Sequence, residues 1–452
     1  MFDGLTDTRL IAAVAILVFY VLFSAYWLRP IWRRQSAAPI DRSMTLIAYA
    51  TQTGYAQQVA DQTAQSLRNA GRAVQVASLA EVNSNALANA QRALFVVSTT
   101  GEGDPPDPAA RFVRDVLANV AQLPQLQYGV LALGDREYAN FCAFGHQLDT
   151  WLKHQGAHAL FDLIEVDNGD EGALRHWQHN LSLAFDAPDL PDWESPTYER
   201  WRLTSRSLLN PNSAGDPCYL VELSPTDALA DWHAGDIAEI DPFNSHRDGG
   251  DKHPHREYSI ASIPADGLLQ LVVRQMRRPN GELGLGSGWL THAAPIGSDV
   301  SLRVRANPNF RLADSDAPVI LIGNGTGIAG LRSLLKARIA RNQRRNWLLF
   351  GERNAMNDAF FDAELRQWQN SGFLERVDRV YSRDQVERRY VQHRLAECAD
   401  VFREWIADGA YVYVCGSLAG MAPGVHAVLI EVLGEALVES MTLEGRYRRD
   451  VY

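Results

Sequence analysis

The sequence predicts a multidomain α/β protein in which two doubly wound α/β domains flank an antiparallel β-barrel along the chain, with one transmembrane helix ahead of them. Three observations predict this class. Apolar strands alternate with helical segments over residues 43–189 and again over residues 313–452, which is typical of parallel sheets. Residues 197–312 hold short strands separated by turn residues, the pattern of an antiparallel barrel. An uncharged apolar run lies within residues 1–42.

Composition and charge narrow the classes of function. The 452 residues carry a formal net charge of −11, which disfavours binding to nucleic acid. The four cysteines are scattered and form no C-x-x-C pair, so neither a disulfide scaffold nor a metal site is predicted. Residues 44–190 hold 16 acidic and 8 basic side chains. This acidity would steer a basic partner protein, or would simply keep the first domain solvated.

The N-terminal segment has the features of a membrane anchor. Residues 10–28 are an uncharged run of 19 residues that would rise about 28 Å as a helix, close to the thickness of a bilayer core. Arg29, Arg33 and Arg34 follow directly, and the positive-inside tendency places that side in the cytoplasm. A cleaved signal peptide would carry its positive charge before a shorter apolar core, and a buried helix is the other alternative. Residues 1–42 are therefore predicted to be an anchor and linker. The protein would then cross the membrane once, the inner or plasma membrane if bacterial, with its catalytic domains in the cytoplasm.

The first strand of the 43–189 domain, MTLIAYA, runs into a loop suited to a phosphate. The loop offers hydroxyl groups, a glycine and the free amides of a helix N-terminus. It lacks a G-K-[ST] ending, so it favours a phosphate monoester over a nucleoside triphosphate. A capped helix start is the structural alternative. The candidate binding residues are Thr51, Gln52, Thr53, Gly54, Tyr55 and Ala56.

Two later strands of this domain end in loops that would converge at the same sheet edge. Their backbone groups suit a flat heterocycle, and the ring of Tyr138 could stack on its face. The candidates in the first loop are Ser98, Thr99, Thr100, Gly101, Glu102 and Gly103. Those in the second are Leu133, Gly134, Asp135, Tyr138, Asn140 and Phe141.

The three loops together resemble the FMN domain of the diflavin reductase family, which includes NADPH–haemoprotein (cytochrome) reductases and the flavoprotein subunit of sulfite reductase. The resemblance implies a flavodoxin-like, FMN-binding domain at residues 43–189. One position departs from the family pattern: Thr100 stands where some members carry an aromatic residue against the second face of the flavin.

The barrel region carries two short patterns that point to a second flavin. An arginine can pair with a pyrophosphate, a tyrosine can stack on a ring, and a serine can hydrogen-bond a flavin nitrogen. Arg256, Tyr258 and Ser259 supply these groups and resemble the RxYS motif of the ferredoxin–NADP reductase family. Gly286 and Ser287 match that family's second FAD element. The resemblance implies an FAD-binding barrel at residues 197–312.

The last region, residues 313–452, carries a glycine-rich turn and a basic loop. Gly325, Thr326 and Gly327 follow a strand and open a helix, and they resemble the family's nicotinamide-nucleotide loop with Asn324 and Gly330 in place of two prolines. A serine and two arginines after a later strand suit a phosphate monoester, and an arginine there selects NADP over NAD. By resemblance, the 2′-phosphate and adenine site comprises Ser382, Arg383, Arg388, Tyr390 and Gln392.

The end of the chain supplies the catalytic candidates by the same resemblance. Cys415 matches the family cysteine beside the nicotinamide, although Ser417 replaces the usual aspartate that follows. Asp450 matches an acidic partner of Ser259 and Cys415. The terminal Tyr452 matches the aromatic residue that covers the FAD ring and must move when nicotinamide stacks.

The resemblance implies a membrane-anchored, NADPH-dependent diflavin reductase that passes electrons from NADPH to FAD, to FMN and then to a one-electron acceptor. That acceptor would be a haem or iron–sulfur protein that docks on the acidic FMN domain. The helical connecting domain of about 100 residues that family members usually carry is missing. Three alternatives stay open: a ferric-chelate reductase of iron uptake, a sulfite reductase flavoprotein-like subunit, and a flavin-binding assembly subunit without turnover.

Overall fold

The computed structural model describes residues 43–452 except 137, 188–192, 194–196, 227–230, 246–252, 254 and 279. The predicted transmembrane helix at 10–28 lies outside these residues. Within the described part of the chain, no single helix is both long and apolar enough to cross a membrane. One bent pair of helices, Met421–Leu433 and Glu435–Leu443, meets the criteria of length and composition only when joined across an angle of 115°.

The first domain is a doubly wound sheet, because its apolar strands are buried on both faces by helices. The strands are β1 Thr45–Ala50, β2 Val74–Ser78, β3 Arg92–Ser98, β4 Gln127–Gly134, β5 His158–Ala159 and β6 Ile164–Asp167. The helices are α1 Tyr55–Asn69, α2 Ser84–Asn89, α3 Ala110–Phe112, α4 Ala143–His154 and α5 Glu171–Ala184. All strand pairs are parallel, in the order β2-β1-β3-β4-β5 with β6 also on β4, the flavodoxin-like order.

The second domain is antiparallel. Its strands are β7 Glu199–Leu208, β8 Cys218–Pro225, β9 Ile237–Asp241, β10 Arg256–Ser259, β11 Leu269–Arg274 and β12 Asp299–Arg305, and its short helix is α6 Leu285–Gly288. The order β10-β9-β12-β7-β8-β11 leaves β10 and β11 at the edges. A bridge between Ile260 and Leu271 joins these edges, so the sheet closes into a barrel. Trp201 and Trp232 fill its interior with ring centroids 6.1 Å apart.

The third domain is again a parallel sheet covered on both faces. Its strands are β13 Val319–Asn324, β14 Asn346–Glu352, β15 Arg376–Tyr381, β16 Tyr411–Gly416 and β17 Tyr447–Val451, in the order β15-β14-β13-β16-β17. Its helices are α7 Ile328–Ala340, α8 Asp362–Asn370, α9 Val391–Glu397, α10 Ala399–Ala407, α11 Met421–Leu433 and α12 Glu435–Leu443. The terminal strand β17 therefore lies at an edge, beside β16.

The first domain docks on the other two through polar contacts. Asn309 Nδ2 donates to the carbonyl oxygens of Thr51 at 3.0 Å and Gln52 at 3.1 Å. Arg449 of β17 forms an ion pair with Asp107, with Nε 2.7 Å from Oδ2. The second and third domains are joined by the buried Arg332, whose guanidinium donates to the Ala261 carbonyl at 2.7 Å. These contacts place the loop after β1 beside the end of the barrel domain and beside the terminal strand β17.

Candidate functional site

Two neighbouring cavities lie where the three domains meet. The large cavity, between the barrel and the third domain, has a volume of about 1050 Å³. The small cavity, at the loop edge of the first domain, has a volume of about 340 Å³. Arg256, Glu257 and Tyr452 line both. Ligands in the two cavities would therefore contact these three residues from both sides.

The large cavity gathers most residues predicted for the second and third domains. The predicted residues that line it are Arg256, Tyr258, Ser259, Gly286, Ser287, Gly325, Thr326, Ser382, Arg383, Tyr390, Gln392 and Tyr452. The other predicted residues, Gly327, Arg388, Cys415 and Asp450, are not among its lining residues. Arg389, the neighbour of Arg388, does line the cavity.

The large cavity is strongly cationic. Among the residues that the structure describes, its lining includes two glutamates, Glu257 and Glu352, and seven arginines: Arg256, Arg274, Arg277, Arg278, Arg353, Arg383 and Arg389. Such an excess of guanidinium groups suits several phosphates, as two dinucleotides would bring. The sequence prediction missed five of these arginines. The Arg277–Arg278 pair ahead of a Pro-Asn-Gly turn was a visible signal, whereas Arg274 and Arg353 are strand-end residues without a distinguishing pattern.

The glycine-rich turn leaves room on its cavity side. Gly325 has a φ of +56°, and a Cβ there would come no closer than 3.6 Å to any other atom, the nearest being Arg274 Nη2. A Cβ on Gly327, by contrast, would lie 2.1 Å from the carbonyl oxygen of Cys415, so this glycine is needed for packing against β16. The backbone at Gly325 can thus be approached closely by a phosphate at the start of α7.

A buried cluster lies beside the large cavity. Ser259 Oγ donates to Asp450 Oδ2 at 2.7 Å, and Cys415 Sγ lies 3.7 Å from the same oxygen. The register of β16 and β17 creates it, because Cys415 and Asp450 are direct neighbours across these strands. Burial raises the pKa of the Cys415 thiol well above its usual range. Burial also raises the pKa of Asp450, against the hydrogen bond from Ser259. The cluster can therefore hold a proton beside a ligand that contacts Ser259 in the large cavity.

The small cavity gathers residues from all three predicted loops of the first domain. Those that line it are Gln52, Thr53, Tyr55, Ser98, Thr99, Thr100, Gly101, Leu133, Gly134, Asp135, Tyr138, Asn140 and Phe141. Asn140 Nδ2 ties two of the loops together by donating to the Glu102 carbonyl at 2.6 Å. The predicted residues Thr51, Gly54, Ala56, Glu102 and Gly103 are not among the lining residues. Thr51 Oγ1 instead accepts from the Gly54 amide at 2.9 Å, within the loop.

Among the residues that the structure describes, two buried polar atoms in these cavities have no hydrogen-bond partner. Thr100 Oγ1 in the small cavity and Gln392 Oε1 in the large cavity make no hydrogen bond within the part of the chain that the structure describes. Leaving a buried polar group unpaired costs about 1–3 kcal/mol. A polar ligand in each cavity would remove that cost.

Residues of the other two domains complete the small cavity, and the sequence prediction missed most of them. His255, Arg256 and Glu257 come from β10 and the residue before it, whereas Leu418, Val451 and Tyr452 come from the third domain. No local pattern marks these as neighbours of the first domain, because the contacts depend on docking.

Glu239, His255 and Glu257 have ligand atoms within 4.8 Å of one another, which is close enough for a metal ion. Their charges are already balanced. Arg303 Nη2 lies 2.8 Å from Glu239, and Arg305 Nη2 lies 2.5 Å from Glu257. The group is therefore an ion-pair network under the small cavity.

Two family models match parts of the first and third domains. Residues 47–177 match the family model described as flavodoxin, and residues 321–427 match the one described as oxidoreductase NAD-binding domain. The sulfite reductase [NADPH] flavoprotein alpha-component of Vibrio parahaemolyticus is 30% identical, over 92% of this chain and 87% of its own. The same component from Vibrio cholerae is 28% identical, over 92% and 89%, and that from Neisseria meningitidis serogroup B is 28% identical, over 92% and 91%.

The lengths of these alignments show that this chain is shorter than its relatives. The match to the Vibrio parahaemolyticus protein extends over 546 positions, and this chain has 452 residues, so at least 94 positions are filled by the relative alone. This difference in length is close to the size of the connecting domain that the sequence lacks.

Proposed function

The chain belongs to the diflavin reductase family, and from that premise we propose that it carries electrons from NADPH through FAD and FMN to a one-electron acceptor protein. It is an oxidoreductase flavoprotein that uses FMN, FAD and NADPH. The observation that carries the proposal is the contact between the two cavities, which share Arg256, Glu257 and Tyr452. Electron transfer from one flavin to the other requires that the two cofactors lie in neighbouring sites.

The residues present fit these cofactors. When bound, NADPH supplies an electron pair, FAD accepts it, and FMN releases electrons one at a time. The seven arginines of the large cavity would hold the phosphates of FAD and NADPH, with Ser382 and Arg383 at the 2′-phosphate. Tyr258 and Tyr452 offer aromatic surface to the rings there. Gln52 and Thr53 would hold the FMN phosphate, and Thr100 Oγ1 would gain a partner.

The buried cluster of Ser259, Cys415 and Asp450 would exclude water from the reacting rings. It would also hold a proton close to them. Asp450 is 4% exposed and Cys415 is fully buried, so bulk water is excluded from this cluster. Ser259 connects the cluster to the large cavity, because its side chain both lines that cavity and donates to Asp450. Orientation of the two rings against this cluster is the protein's own contribution to the reaction.

Anaerobic spectroscopy of the full-length protein tests the relay. NADPH should bleach the visible flavin absorbance, and oxidised cytochrome c, a haem protein that accepts one electron, should then restore it. NADH at the same concentration is the control and should bleach more slowly. Absence of bleaching by NADPH would contradict the proposal and favour the flavin-binding assembly subunit without turnover.

We further propose that the acceptor is a haem or iron–sulfur protein with a basic docking face. Support comes from the 16 acidic and 8 basic side chains of residues 44–190. Attraction between opposite charges speeds encounter and is screened by salt. The rate of cytochrome c reduction should therefore fall as ionic strength rises, and a rate independent of salt would contradict the steering.

A sulfite reductase component is the second candidate, favoured by the relatives' identity as alpha-components of that enzyme. Adding the partner component of a bacterial sulfite reductase should then produce NADPH-dependent sulfite reduction. Reduction of ferric citrate with neither protein acceptor present would instead favour the ferric-chelate alternative.

Membrane attachment through residues 10–28 is also part of the proposal. It rests on the length, apolarity and flanking arginines of that segment. Full-length protein should sediment with membranes and resist extraction by high salt, and protein lacking residues 1–42 should not. Equal distribution of the two forms would refute the anchor.

A further inference from the structure

The wall of the small cavity is completed by a side chain of the third domain. Leu418 follows β16 and lines this cavity. It fills the space opposite Gly101, since a Cβ built on Gly101 would lie 2.3 Å from Leu418 Cδ2. Gly101 also has a φ of +53°, so the loop of the first domain is shaped by glycine to receive this leucine.

Leu418 is held in place by the terminal residues of the chain. Its amide donates to the Tyr452 carbonyl at 3.0 Å, and the Tyr452 amide donates to the Gly416 carbonyl at 3.0 Å. Asn324 Oδ1 accepts from the neighbouring Ser417 amide at 2.9 Å. The leucine and the terminal tyrosine therefore form one unit on the rim of the third domain.

The terminal strand is in turn fastened to the first domain. Arg449 forms an ion pair with Asp107, which follows the loop after β3 and contacts the cavity-lining residue Gln52. Gln52, which lines the cavity, donates through Nε2 to the Arg449 carbonyl at 2.8 Å and to Asp107 Oδ2 at 3.1 Å. We call the contacts of Asp107, Gln52 and Arg449 the latch. Opening the latch would withdraw Leu418 and Tyr452 from the small cavity together.

We propose that FMN is bound partly by the third domain, with Leu418 as a wall of its site, so that FMN binds more tightly when the first domain is docked than when it is released. This inference rests on the proposed function. Linkage requires the converse as well: bound FMN favours docking. When the first domain is released toward an acceptor, its affinity for FMN would then fall. The stability of the latch sets the fraction of molecules in which the domain is released.

Equilibrium dialysis of FMN against full-length protein that retains FAD tests the inference, with bound FMN measured by chromatography. Leu418→Ala should raise the FMN dissociation constant about five- to tenfold, from the apolar contact that is lost. Arg449→Met, which removes the ion pair of the latch and keeps the Arg449 carbonyl that Gln52 contacts, should raise it in the same direction and by no more than Leu418→Ala does. The double variant should show little further change, because both act through the docked form.

Leu437→Ala is the matched control, since Leu437 is a 40% exposed leucine on α12 of the same domain and lines neither cavity. It should leave the FMN dissociation constant unchanged, and all variants should retain FAD. An FMN dissociation constant within twofold of wild type in Leu418→Ala overturns the inference. If Leu418→Ala fails to fold and to retain FAD, an FMN dissociation constant of Arg449→Met equal to that of wild type overturns the inference instead. A wild-type protein that binds FAD but no FMN would instead overturn the proposed function.

Discussion

Replacing Arg383 by alanine should separate NADPH from NADH. Ser382 is buried at the end of β15, and the exposed Arg383 lies at the rim of the large cavity, with Nη1 3.3 Å from the Ser382 carbonyl. Hydrogen bonding with Arg383, and less strongly with Arg388, lowers the pKa of Tyr390. A 2′-phosphate placed there would meet two arginines, a serine and a tyrosine.

The magnitude follows from the contact that is lost. A hydrogen bond to a charged group contributes about 1.5–3 kcal/mol, which corresponds to about 10- to 150-fold in binding. Because Arg383 is exposed and Arg388 remains, we expect the lower end, about tenfold weaker binding of NADPH. NADH lacks the phosphate, so its binding should change less than twofold.

Steady-state kinetics with both nucleotides measures this effect as the ratio of their KM values. Arg366→Ala is the control, because Arg366 is an arginine of the same domain whose side chain is 71% exposed and which lies outside the large cavity. It should leave both KM values unchanged. An equal loss for NADPH and NADH in Arg383→Ala would refute the phosphate role of this residue.

Two further predictions concern the end of the chain and the third domain. Tyr452 lines both cavities, and its predicted role is to cover the FAD ring, so that it must move when nicotinamide stacks. Deletion of Tyr452 should then raise kcat/KM for NADH severalfold, and unchanged NADH kinetics would contradict the shield. Asp378→Asn should lower the free energy of unfolding by about 1.5 kcal/mol at neutral pH, because Arg376 and Arg394 lose a charged hydrogen-bond partner but both remain partly exposed to solvent. Burial raises the pKa of Asp378, but the hydrogen bonds from these arginines together lower it below its usual value of 3.8. Its contribution is therefore present above pH 3.8 and is lost as the pH falls through the lowered pKa. Urea denaturation should therefore show the difference from wild type shrinking below about pH 4, and a difference independent of pH would refute the pairing.

The sheets were predictable because their strands are continuous apolar runs. MTLIAYA became β1, and the alternation of strand and helix around it required a parallel, two-sided sheet. The loops after β1, β3 and β4 converge as the strand order dictates. The barrel was predictable in type, whereas its closure through Ile260 and Leu271 depends on twist and register that short strands do not reveal.

The candidate site was predictable only where motifs lie within one segment. Ser259 and Asp450 are 191 positions apart, and their pairing came from family resemblance, not from any pattern of the residues themselves. Asn324 and Ser417 appeared as separate departures from the family, yet they contact each other at 2.9 Å. Leu418 and His255 were missed because their place in the small cavity arises from domain docking. Contacts between domains leave no periodicity in the sequence.

The flavin content of the full-length protein tests the central claim most directly. Flavins released by denaturation and separated by chromatography should amount to one FMN and one FAD per chain, because the structure provides a separate cavity for each beside a shared Tyr452. FAD alone would contradict the two-flavin relay. The protein would then be an NADPH–FAD reductase carrying a flavodoxin-like docking domain.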